Sequence, residues 1–345
     1  MPAIAGSCVF ALLDLNLSDW SSHMSVLINR SHEADWVIRA WLKQAGALDK
    51  AKLVVSLPDT CPGKSPLPTG TGYLTDSADW RRFAVSDVGC GLCIVRSRLS
   101  GEDAAGNAFR SAWISLCEVM RAKRNKGLGD LGSGNHFLDA VVSSMDGSLC
   151  FVVHTGSRKE SGLVDDLIDQ PRKFDAEFKR AERWAFDNRA AVIEMVERAF
   201  GRFAPLYPGV DRLDRNHNHF EETDAGVIIR KGAQRARPGE LALIPSNLLD
   251  EMAVVRAKAG VADHLMCLPH GTGRAVSRSD AKRLDTAGSL AELRERVFIP
   301  ESIDDSSLRT ETPECYRSLG PALERIGDLV EEVERFRPVA YIGQL

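Results

Sequence analysis

The chain has 345 residues, of which 44% are hydrophobic and 27% are charged, and its formal net charge is -4. This composition is typical of a globular protein and excludes an intrinsically disordered chain or a collagen-like repeat. The small negative charge gives no overall attraction to nucleic acid or to an anionic membrane, so any site for a polyanion must be a local basic patch.

The first predicted elements are a strand and a long loop. Residues 52–57 form an apolar run that favours a strand. Residues 58–72 contain four prolines and three glycines, which favour a loop. Long ordered loops in compact proteins are often functional, so this segment is a candidate for a functional role.

Two helices and three further strands follow along the chain. Apolar residues recur at helical spacing over residues 174–199 and Gly201 comes after them, which predicts a long amphipathic helix. Pro321 in a first turn, an apolar stripe and then Pro338 predict a last helix over residues 321–336. Short apolar runs predict strands at residues 149–153, 226–229 and 241–244.

This mixture of helices and strands places the chain in the mixed α and β class. No internal repeat, low-complexity tract or linker rich in Gly, Ser or Pro marks a domain boundary. We therefore expect a single domain over residues 1–345.

The N-terminus and the cysteines indicate the compartment. The first residues lack the basic region of a signal peptide, and no run approaches the roughly 20 apolar residues that span a bilayer. Eight cysteines are scattered from Cys8 to Cys315 without a dense framework, which is typical of reduced thiols. We expect a cytoplasmic protein with no membrane partner.

Half of the eight histidines lie in short segments rich in Gly, Asn, Ser and Arg, where packing gives no reason for an imidazole. A further segment places Asp87 and Cys90 three residues apart on a predicted tight turn. Glycine lets the backbone approach a ligand closely, and Asn or Ser can hydrogen-bond a phosphate. The pattern predicts a metal shell near a phosphate site. The four histidines are His136, His154, His217 and His270.

Two other motifs are interpreted as non-functional. Cys90 and Cys93 form a C-x-x-C that fits a redox pair or half of a zinc site, but no second such pair completes a zinc site and no thioredoxin-like pattern follows. Residues 127–132 match G-x-G-x-x-G, yet a basic stretch precedes them instead of a strand, so we reject a dinucleotide site. The histidines interpreted as structural or surface residues are His23, His32, His219 and His264.

Basic residues cluster at three places despite the acidic total. For the first cluster, a solvated surface and a phosphate site are equally good interpretations. The other two clusters adjoin glycines, and the guanidinium groups of arginines beside flexible backbone suit phosphate oxygens. The clusters are Arg121, Lys123, Arg124 and Lys126; Arg230, Lys231, Arg235 and Arg237; and Arg274, Arg278, Lys282 and Arg283.

Six motifs follow one another along the chain: D-V-G-C-G at 87–91, G-S-G-N-H-F at 132–137, H-T-G-S-R at 154–158, H-N at 217–218, R-K-G-A at 230–233 and H-G-T-G-R-A-V-S-R at 270–278. Taken in this order, they resemble those of the RtcB family of RNA ligases, and the resemblance runs from about Pro58 to Val339. It implies an α+β fold, with mixed sheets packed with helices around a central metal cleft. It also implies a ligase that uses GTP and manganese to join RNA 3′-phosphate or 2′,3′-cyclic phosphate ends to 5′-hydroxyl ends, in RNA repair or tRNA splicing.

The resemblance implies a role for each matching residue. His270 would carry the GMP as the guanylated nucleophile, and Cys90 would bridge two manganese ions, although these ligand types alone would not exclude zinc or iron. RNA ends and GTP would be the substrates, and an activating or ribosome-rescue protein is a candidate partner. The implied metal ligands are Asp87, Cys90, His136, His154 and His217. The implied nucleotide and phosphate ligands are Asn135, Arg158, Asn218, Arg230, Lys231, Gly271, Gly273, Arg274 and Arg278.

The chain departs from the family pattern at three places. Residues 246–249 replace a Gly-Ser-Met-Gly-like turn of the nucleotide pocket, residues 342–345 lack the terminal lysine, and Lys159 stands where the family prefers glycine. We therefore expect a permissive nucleotide pocket. Two alternatives stay open: a binuclear metal-dependent phosphoesterase, and a non-catalytic protein that binds RNA ends. His270 separates the first from a ligase, because a hydrolase needs no histidine nucleophile.

Overall fold

The computed structural model describes residues 26–345, apart from residues 64, 84–85, 158–159, 161 and 163 and the side chain of Arg278. His23, Arg158 and Lys159 therefore lie outside the described residues, as does the Arg278 side chain. Among the described helices, none has both the length and the apolarity that a membrane span requires.

The described residues form seven α-helices and fourteen strands in an irregular order, which confirms the α+β class. The helices are α1 Asp35–Gln44, α2 Asn107–Lys123, α3 Pro171–Phe200, α4 Arg278–Ala281, α5 Ala287–Arg296, α6 Asp305–Leu308 and α7 Leu319–Glu324. The strands are β1 Val26–Asn29, β2 Leu53–Cys61, β3 Thr69–Thr75, β4 Gly91–Ser100, β5 Phe137–Ser143, β6 Ser148–Thr155, β7 Arg212–Asn216, β8 Asn218–Thr223, β9 Gly226–Lys231, β10 Ala233–Arg235, β11 Leu241–Ile244, β12 Met252–Ala257, β13 Cys267–Pro269 and β14 Val330–Gly343.

These strands form three sheets. A seven-stranded sheet has the order β11-β12-β14-β5-β6-β4-β7, and a five-stranded sheet has the order β1-β2-β3-β9-β8. Strands β10 and β13 form a separate antiparallel pair. Only β1 and β2 pair in parallel among the described strands.

Helix α3 covers one face of the seven-stranded sheet and confirms the long helix predicted from its apolar stripe. Pro171 occupies the first turn, where a missing N–H costs no hydrogen bond, and Gly201 follows the last turn with φ 87. The stripe packs with α2 and the inner strands in a core that includes Trp113, Phe151 and Val192. The helix is thereby fixed against the strands whose ends carry the site.

Three strand predictions are confirmed and lie within β6, β9 and β11. The predicted strand over residues 52–57 is part of β2, which continues to Cys61. The long loop predicted over residues 58–72 is wrong in extent, because β2 and β3 extend into it and leave only residues 62–68 between them. A β-bulge between Ser56 and Cys61 lets the strand carry Pro58 without a regular ladder hydrogen bond at that position.

The predicted last helix over residues 321–336 is wrong. The helix α7 ends at Glu324, and β14 runs from Val330 through Pro338 to Gly343. The apolar positions in this segment fit helical spacing, but Glu334, Phe336 and Pro338 are buried at every second residue, as in a strand. Pairing with β12 and β5 makes this segment a strand. A register shift after Pro338 accommodates the backbone N–H that proline lacks.

Candidate active site

One edge of the seven-stranded sheet gathers most of the predicted metal ligands. In the register of the sheet, Gly91 pairs with both Thr155 and Asn216, and Phe137 pairs with His154. Residues just before β4 and β5, at the end of β6 and just after β7 therefore come together, although they are far apart in the chain. They are Cys90, His136, His154 and His217.

Cys90 lies at the centre of this group. Its Sγ is 3.3 Å from His136 Nε2 and 3.2 Å from His154 Nε2. Asp87 Oδ2 is 3.1 Å from His136 Nε2, and His217 Nε2 is 3.3 Å from His154 Nε2. The five residues form two groups of potential metal ligands that share Cys90, and within each group the ligand atoms lie within 4.8 Å of one another.

The protonation states of the histidines suit metal binding. Burial, together with the neighbouring imidazoles, lowers the pKa of His154 and of His217 well below the usual value, so both rings are neutral at neutral pH. His154 Nδ1 donates to the Asn135 carbonyl at 2.7 Å, which leaves the lone pair on Nε2 beside Cys90. The nitrogen that faces the cluster is thus the one able to coordinate a cation.

The pKa values of Asp87 and Cys90 shift in opposite directions. Burial tends to raise the pKa of Asp87, but the charge and hydrogen bond of His136 outweigh this effect and hold that pKa below its usual value. Burial and then the Asp87 carboxylate raise the pKa of Cys90 well above its usual value. Coordination of a divalent cation reverses that preference, since a coordinating thiol is deprotonated.

The turn that carries Asp87 is built by close backbone contacts. Asp87 itself has φ 55, and the Asn218 side-chain amide donates to the carbonyls of Ser86 and Asp87 at 3.2 and 3.1 Å. A Cβ on Gly156 would lie 2.5 Å from Asp87 Oδ1, so any larger residue there would displace the carboxylate. The glycine of the H-T-G-S-R motif therefore makes room for the carboxylate.

His270 faces the same cluster from the loop after β13. Its Nδ1 lies 2.5 Å from Asp59 Oδ2 and 2.9 Å from the Gly232 carbonyl. Both neighbours accept hydrogen bonds, which fixes the tautomer with the proton on Nδ1 and leaves the lone pair on Nε2. The ring centroid of His270 is 4.6 Å from that of His217 and 6.3 Å from that of His154.

Asp59 is a candidate functional residue that the sequence reasoning missed. Its side chain is fully buried, and Oδ2 also accepts the His270 backbone N–H at 3.2 Å. The bulge in β2 directs this side chain, which a regular strand pattern does not reveal. Asp59 does lie in the segment singled out as a candidate functional loop. A buried carboxylate on an imidazole Nδ1 orients the ring for nucleophilic or acid–base chemistry.

A cavity of about 510 Å³ joins the metal-ligand cluster to His270. Its size is that of a small-molecule site. Gly271 and Gly273 line it beside His270, and Gly273 has φ 80, where an added Cβ would lie 2.6 Å from Asp59 Cα. Glycine at this position lets the His270 loop lie directly against the strand that carries Asp59.

Comparisons with known proteins identify the family of this chain. The family model of the tRNA-splicing ligase RtcB matches residues 168–344. The chain belongs to the RtcB family. It is 23% identical to the RNA-splicing ligase RtcB of Escherichia coli K12 over 74% of this chain and 81% of that protein. It is 24% identical to the tRNA-splicing ligase RtcB of Aeropyrum pernix over 74% of this chain and 67% of that protein.

The family membership confirms the resemblance found in the motifs and, with it, an RtcB-like fold. The RNA-splicing ligase RtcB of Mycobacterium tuberculosis is similar as well, at 22% identity over 76% of this chain and 74% of that protein. At such identities the overall similarity says little about single positions. Residue roles therefore depend on the local contacts.

Four of the predicted nucleotide ligands of this RtcB-family chain line the cavity with their side chains. Asn135 is exposed there. Asn218 uses its amide on the Asp87 turn, and Lys231 Nζ donates to the Ser86 carbonyl at 3.1 Å. Arg274 Nη1 donates to the Tyr316 hydroxyl at 2.9 Å. The four are Asn135, Asn218, Lys231 and Arg274.

Arg230 is not brought to the cavity. Successive side chains of a strand point to opposite faces, so Arg230 points away from the face that Lys231 occupies in β9. Its guanidinium is fully buried, pairs with Glu221 at 3.0 Å and donates to the Leu265 carbonyl at 2.7 Å. We therefore do not retain Arg230 as a phosphate ligand.

The C-x-x-C motif also separates in space. Cys90 joins the histidines, whereas Cys93 is buried in the core between the sheet and the helices. Both cysteines are free thiols. The residues 127–132 connect α2 to β5, and neither a strand before them nor a helix after them is present in this described stretch. The two cysteines thus lie in different surroundings, and residues 127–132 are not placed between a strand and a helix as a dinucleotide-binding motif requires.

Two buried acidic residues that line the cavity, Asp139 and Glu311, were also missed by the sequence reasoning. Asp139 lies on β5, and its Oδ1 has no hydrogen-bond partner among the described residues. Burial and then the charge of Glu311 raise its pKa well above the usual value. Glu311 accepts hydrogen bonds from Gln344 Nε2 at 2.7 Å and from the Tyr316 hydroxyl at 2.5 Å. An aspartate inside an apolar strand was the available signal for Asp139.

Proposed function

We propose that this chain is a GTP- and manganese-dependent RNA ligase. It joins RNA 3′-phosphate or 2′,3′-cyclic phosphate ends to 5′-hydroxyl ends through a histidine–GMP intermediate, in RNA repair or tRNA splicing. The observation that carries this proposal is the position of His270, anchored by Asp59 and 4.6 Å from His217 between ring centroids. The relatives named above are RNA-splicing and tRNA-splicing ligases.

The residues of the cluster fit a pair of divalent metal ions. Imidazole nitrogens, a carboxylate and a thiol suit a borderline divalent cation, and the two ligand groups share Cys90. We propose that Asp87, Cys90 and His136 hold one manganese ion, and that Cys90, His154 and His217 hold the other. When bound, such ions neutralise phosphate oxygens and keep an attack in line.

In the first step, His270 Nε2 bonds to the α-phosphorus of GTP and pyrophosphate leaves. The imidazole gains positive charge as this bond forms, and Asp59 accepts a hydrogen bond from the Nδ1 proton throughout, so the developing charge is stabilised. The Gly232 carbonyl also accepts a hydrogen bond from Nδ1 and helps to hold the orientation of the ring. The product is GMP joined to His270 by a phosphoramidate bond.

Two transfers follow. An oxygen of the RNA 3′-phosphate attacks the phosphorus of the bound GMP, His270 leaves, and RNA with a 3′-diphosphate-linked guanosine forms. The 5′-hydroxyl oxygen of the second RNA then attacks the RNA 3′-phosphorus, its proton passes to solvent water, and GMP leaves as the phosphodiester forms. A 2′,3′-cyclic phosphate is first opened by water to the 3′-phosphate.

Other residues of the motifs would assist by binding phosphates. We propose this role for Asn135 and Lys231, which line the cavity beside the metal ligands, for Arg274 on the His270 loop, and for Gly271 and Gly273 through their backbone. Arg158 and the side chain of Arg278, outside the described residues, keep the same role as predictions.

The remaining expectations concern the setting of the enzyme. A single catalytic domain over residues 1–345, a cytoplasmic location and an activating or ribosome-rescue partner protein stay predictions.

Incubation with α-labelled GTP and manganese, followed by a denaturing gel, tests the proposal. A labelled adduct on the wild-type protein that is stable to alkali and labile to acid supports a phosphoramidate. Release of phosphate from RNA ends with no adduct at any time would favour the phosphoesterase. Binding of RNA ends with neither adduct nor turnover would favour the non-catalytic protein.

A further inference from the structure

The last turn of α2 and the loop that follows it carry four exposed basic residues, Arg121, Lys123, Arg124 and Lys126. None of them has a carboxylate within ion-pair distance among the residues that the structure describes. Arg121 donates only to the Ser302 carbonyl, at 2.9 Å. The chain as a whole has a net charge of -4, so this concentration of positive charge is a local feature.

The acidic groups nearest to it in the chain do not neutralise it. Asp130 is buried, and it accepts hydrogen bonds from the backbone N–H groups of Asn125 and Gly132 at 3.1 and 2.9 Å. Glu118 lies one helical turn before Arg121 on α2 and makes no ion pair with it among the described contacts. Each of the four basic side chains is exposed to solvent. We call them the basic segment.

The topology puts the basic segment at the same edge of the sheet as the metal ligands. Helix α2 starts at the opposite edge, where the Phe109 ring lies near that of Phe200 at the end of α3, with ring centroids 5.0 Å apart. The loop that follows its last turn reaches the end of β6, where Thr155 Oγ1 donates to the Leu131 carbonyl at 2.9 Å. A phosphate backbone that leaves the cavity past Asn135 runs beside this loop, which leads to the basic segment.

The connection between the two is held in a fixed conformation. The Asn188 side-chain Oδ1 on α3 accepts the backbone N–H groups of Gly129 and Asp130 at 2.8 and 3.1 Å. Asn188 Nδ2 donates to the Asp130 carbonyl at 2.9 Å and is 3.3 Å from Thr155 Oγ1, beside the turn that abuts Asp87. The Asn188 side chain therefore holds the loop after the basic segment against the end of β6, next to the turn that carries Asp87.

We propose that the basic segment binds the phosphate backbone of the RNA strand whose 3′-phosphate end occupies the cavity. This inference rests on the proposed function and identifies the surface that the body of the substrate follows. Lys126 and Asn135 are nine residues apart, so they are separated by at most about 32 Å. A strand of about ten nucleotides covers that distance, at roughly 3.4 Å per nucleotide in a helical stack. Lysine and arginine on a rigid turn, without base-specific neighbours, predict binding that does not depend on sequence.

A pair of charge reversals with a matched control tests this. The test variant is Arg124→Glu with Lys126→Glu. The control variant is Arg98→Glu with Arg202→Glu, which changes the net charge equally at two exposed residues on the opposite edge of the sheet. Binding is measured by fluorescence anisotropy, with manganese present and GTP absent. The probes are a labelled 20-nucleotide RNA with a 3′-phosphate and an unlabelled dinucleotide with a 3′-phosphate as competitor.

Each lost phosphate contact lowers the salt slope by about 0.7 for a single strand, so two lost contacts correspond to about 25-fold over the roughly tenfold range from about 1 M to about 0.1 M salt. The test variant should therefore bind the 20-nucleotide RNA at least about 25-fold more weakly at 0.1 M salt. The slope of log affinity against log salt should fall by about 1.4 for two contacts. The dinucleotide should compete with unchanged affinity, since it does not reach the basic segment. The control variant should match the wild type in all three measurements.

Formation of the GMP adduct, which needs no RNA, separates this inference from the proposed function. Equal RNA affinity and equal salt slope in the test and control variants, with normal adduct formation, would overturn the RNA surface and leave the ligase proposal intact. A wild-type protein that neither forms an adduct nor binds the 20-nucleotide RNA would overturn the proposed function and this inference together.

Discussion

The hydrogen bond between Asp59 and His270 offers a quantitative test of the proposed nucleophile. Asp59→Asn keeps the shape of the side chain but removes its charge. The asparagine can place its carbonyl oxygen where Asp59 Oδ2 accepts the Nδ1 proton, 2.5 Å away. The Gly232 carbonyl, at 2.9 Å from Nδ1, still favours the same tautomer. The change therefore tests charge stabilisation more than orientation.

The expected loss follows from that geometry. A hydrogen bond to a charged group contributes about 1.5–3 kcal/mol, and about 1.36 kcal/mol corresponds to a tenfold change in rate. Since the imidazole becomes positive only as it attacks the phosphorus, adduct formation should slow by about 10- to 150-fold. The affinity for GTP should change little, because Asp59 is expected to act on the ring and not on the nucleotide.

The assay is single-turnover formation of the labelled GMP adduct over a range of GTP concentrations. The metal content and melting temperature of the variant are the folding controls, because the new amide nitrogen replaces Asp59 Oδ1, which has no hydrogen-bond partner among the described residues. Asp175→Asn, which removes a carboxylate from a distant ion pair with Arg81, is the matched control. An Asp59→Asn protein that folds normally and forms the adduct at the wild-type rate would refute the reasoning.

Three further predictions concern the metals, the nucleotide and pH. Cys90→Ser should lower occupancy of both metal sites in metal analysis, because Cys90 belongs to both ligand groups; a single tightly held zinc, unaffected by His154→Ala, would contradict this. ATP should compete detectably with GTP for binding, because residues 246–249 depart from the Gly-Ser-Met-Gly-like turn of the family's nucleotide pocket and three of them line the cavity; exclusion of ATP by several orders of magnitude would contradict this. Burial and the charges of Arg325 and Arg317 lower the pKa of His32 to about 4, so the unfolded chain binds a proton that the folded chain does not, and stability should fall between about pH 6.5 and pH 4. In urea unfolding, His32→Gln should weaken that dependence, and identical slopes for the two proteins would show that another group causes it.

The elements that the sequence predicted well are those with one dominant pattern. Helix α3 has an apolar stripe of a single period, a proline at its start and a glycine at its end. Segment 330–343 has no such single pattern, since its apolar residues fit both a helix and a strand. Only the neighbours β12 and β5, which are distant in the chain, decide between them.

Prediction of the site from the sequence pattern has the same limit. His136, His154 and His217 stand out because each lies in a short polar segment, and the structure brings them together with Cys90. Asp59 does not stand out, because a bulge and not the strand pattern turns it towards His270. Arg230 shows the reverse case: a basic residue beside a glycine looks like a phosphate ligand, but the alternation of β9 directs it to Glu221.

The most direct test of the central claim is the behaviour of His270→Ala with two substrates. The variant should retain its metals but form no GMP adduct, and it should fail to join 3′-phosphate and 5′-hydroxyl RNA ends. It should still seal RNA whose 3′-end already carries the activating GMP, because the last step needs only the metals and the positioning of the ends. Joining of unactivated ends by His270→Ala at the wild-type rate would contradict the account.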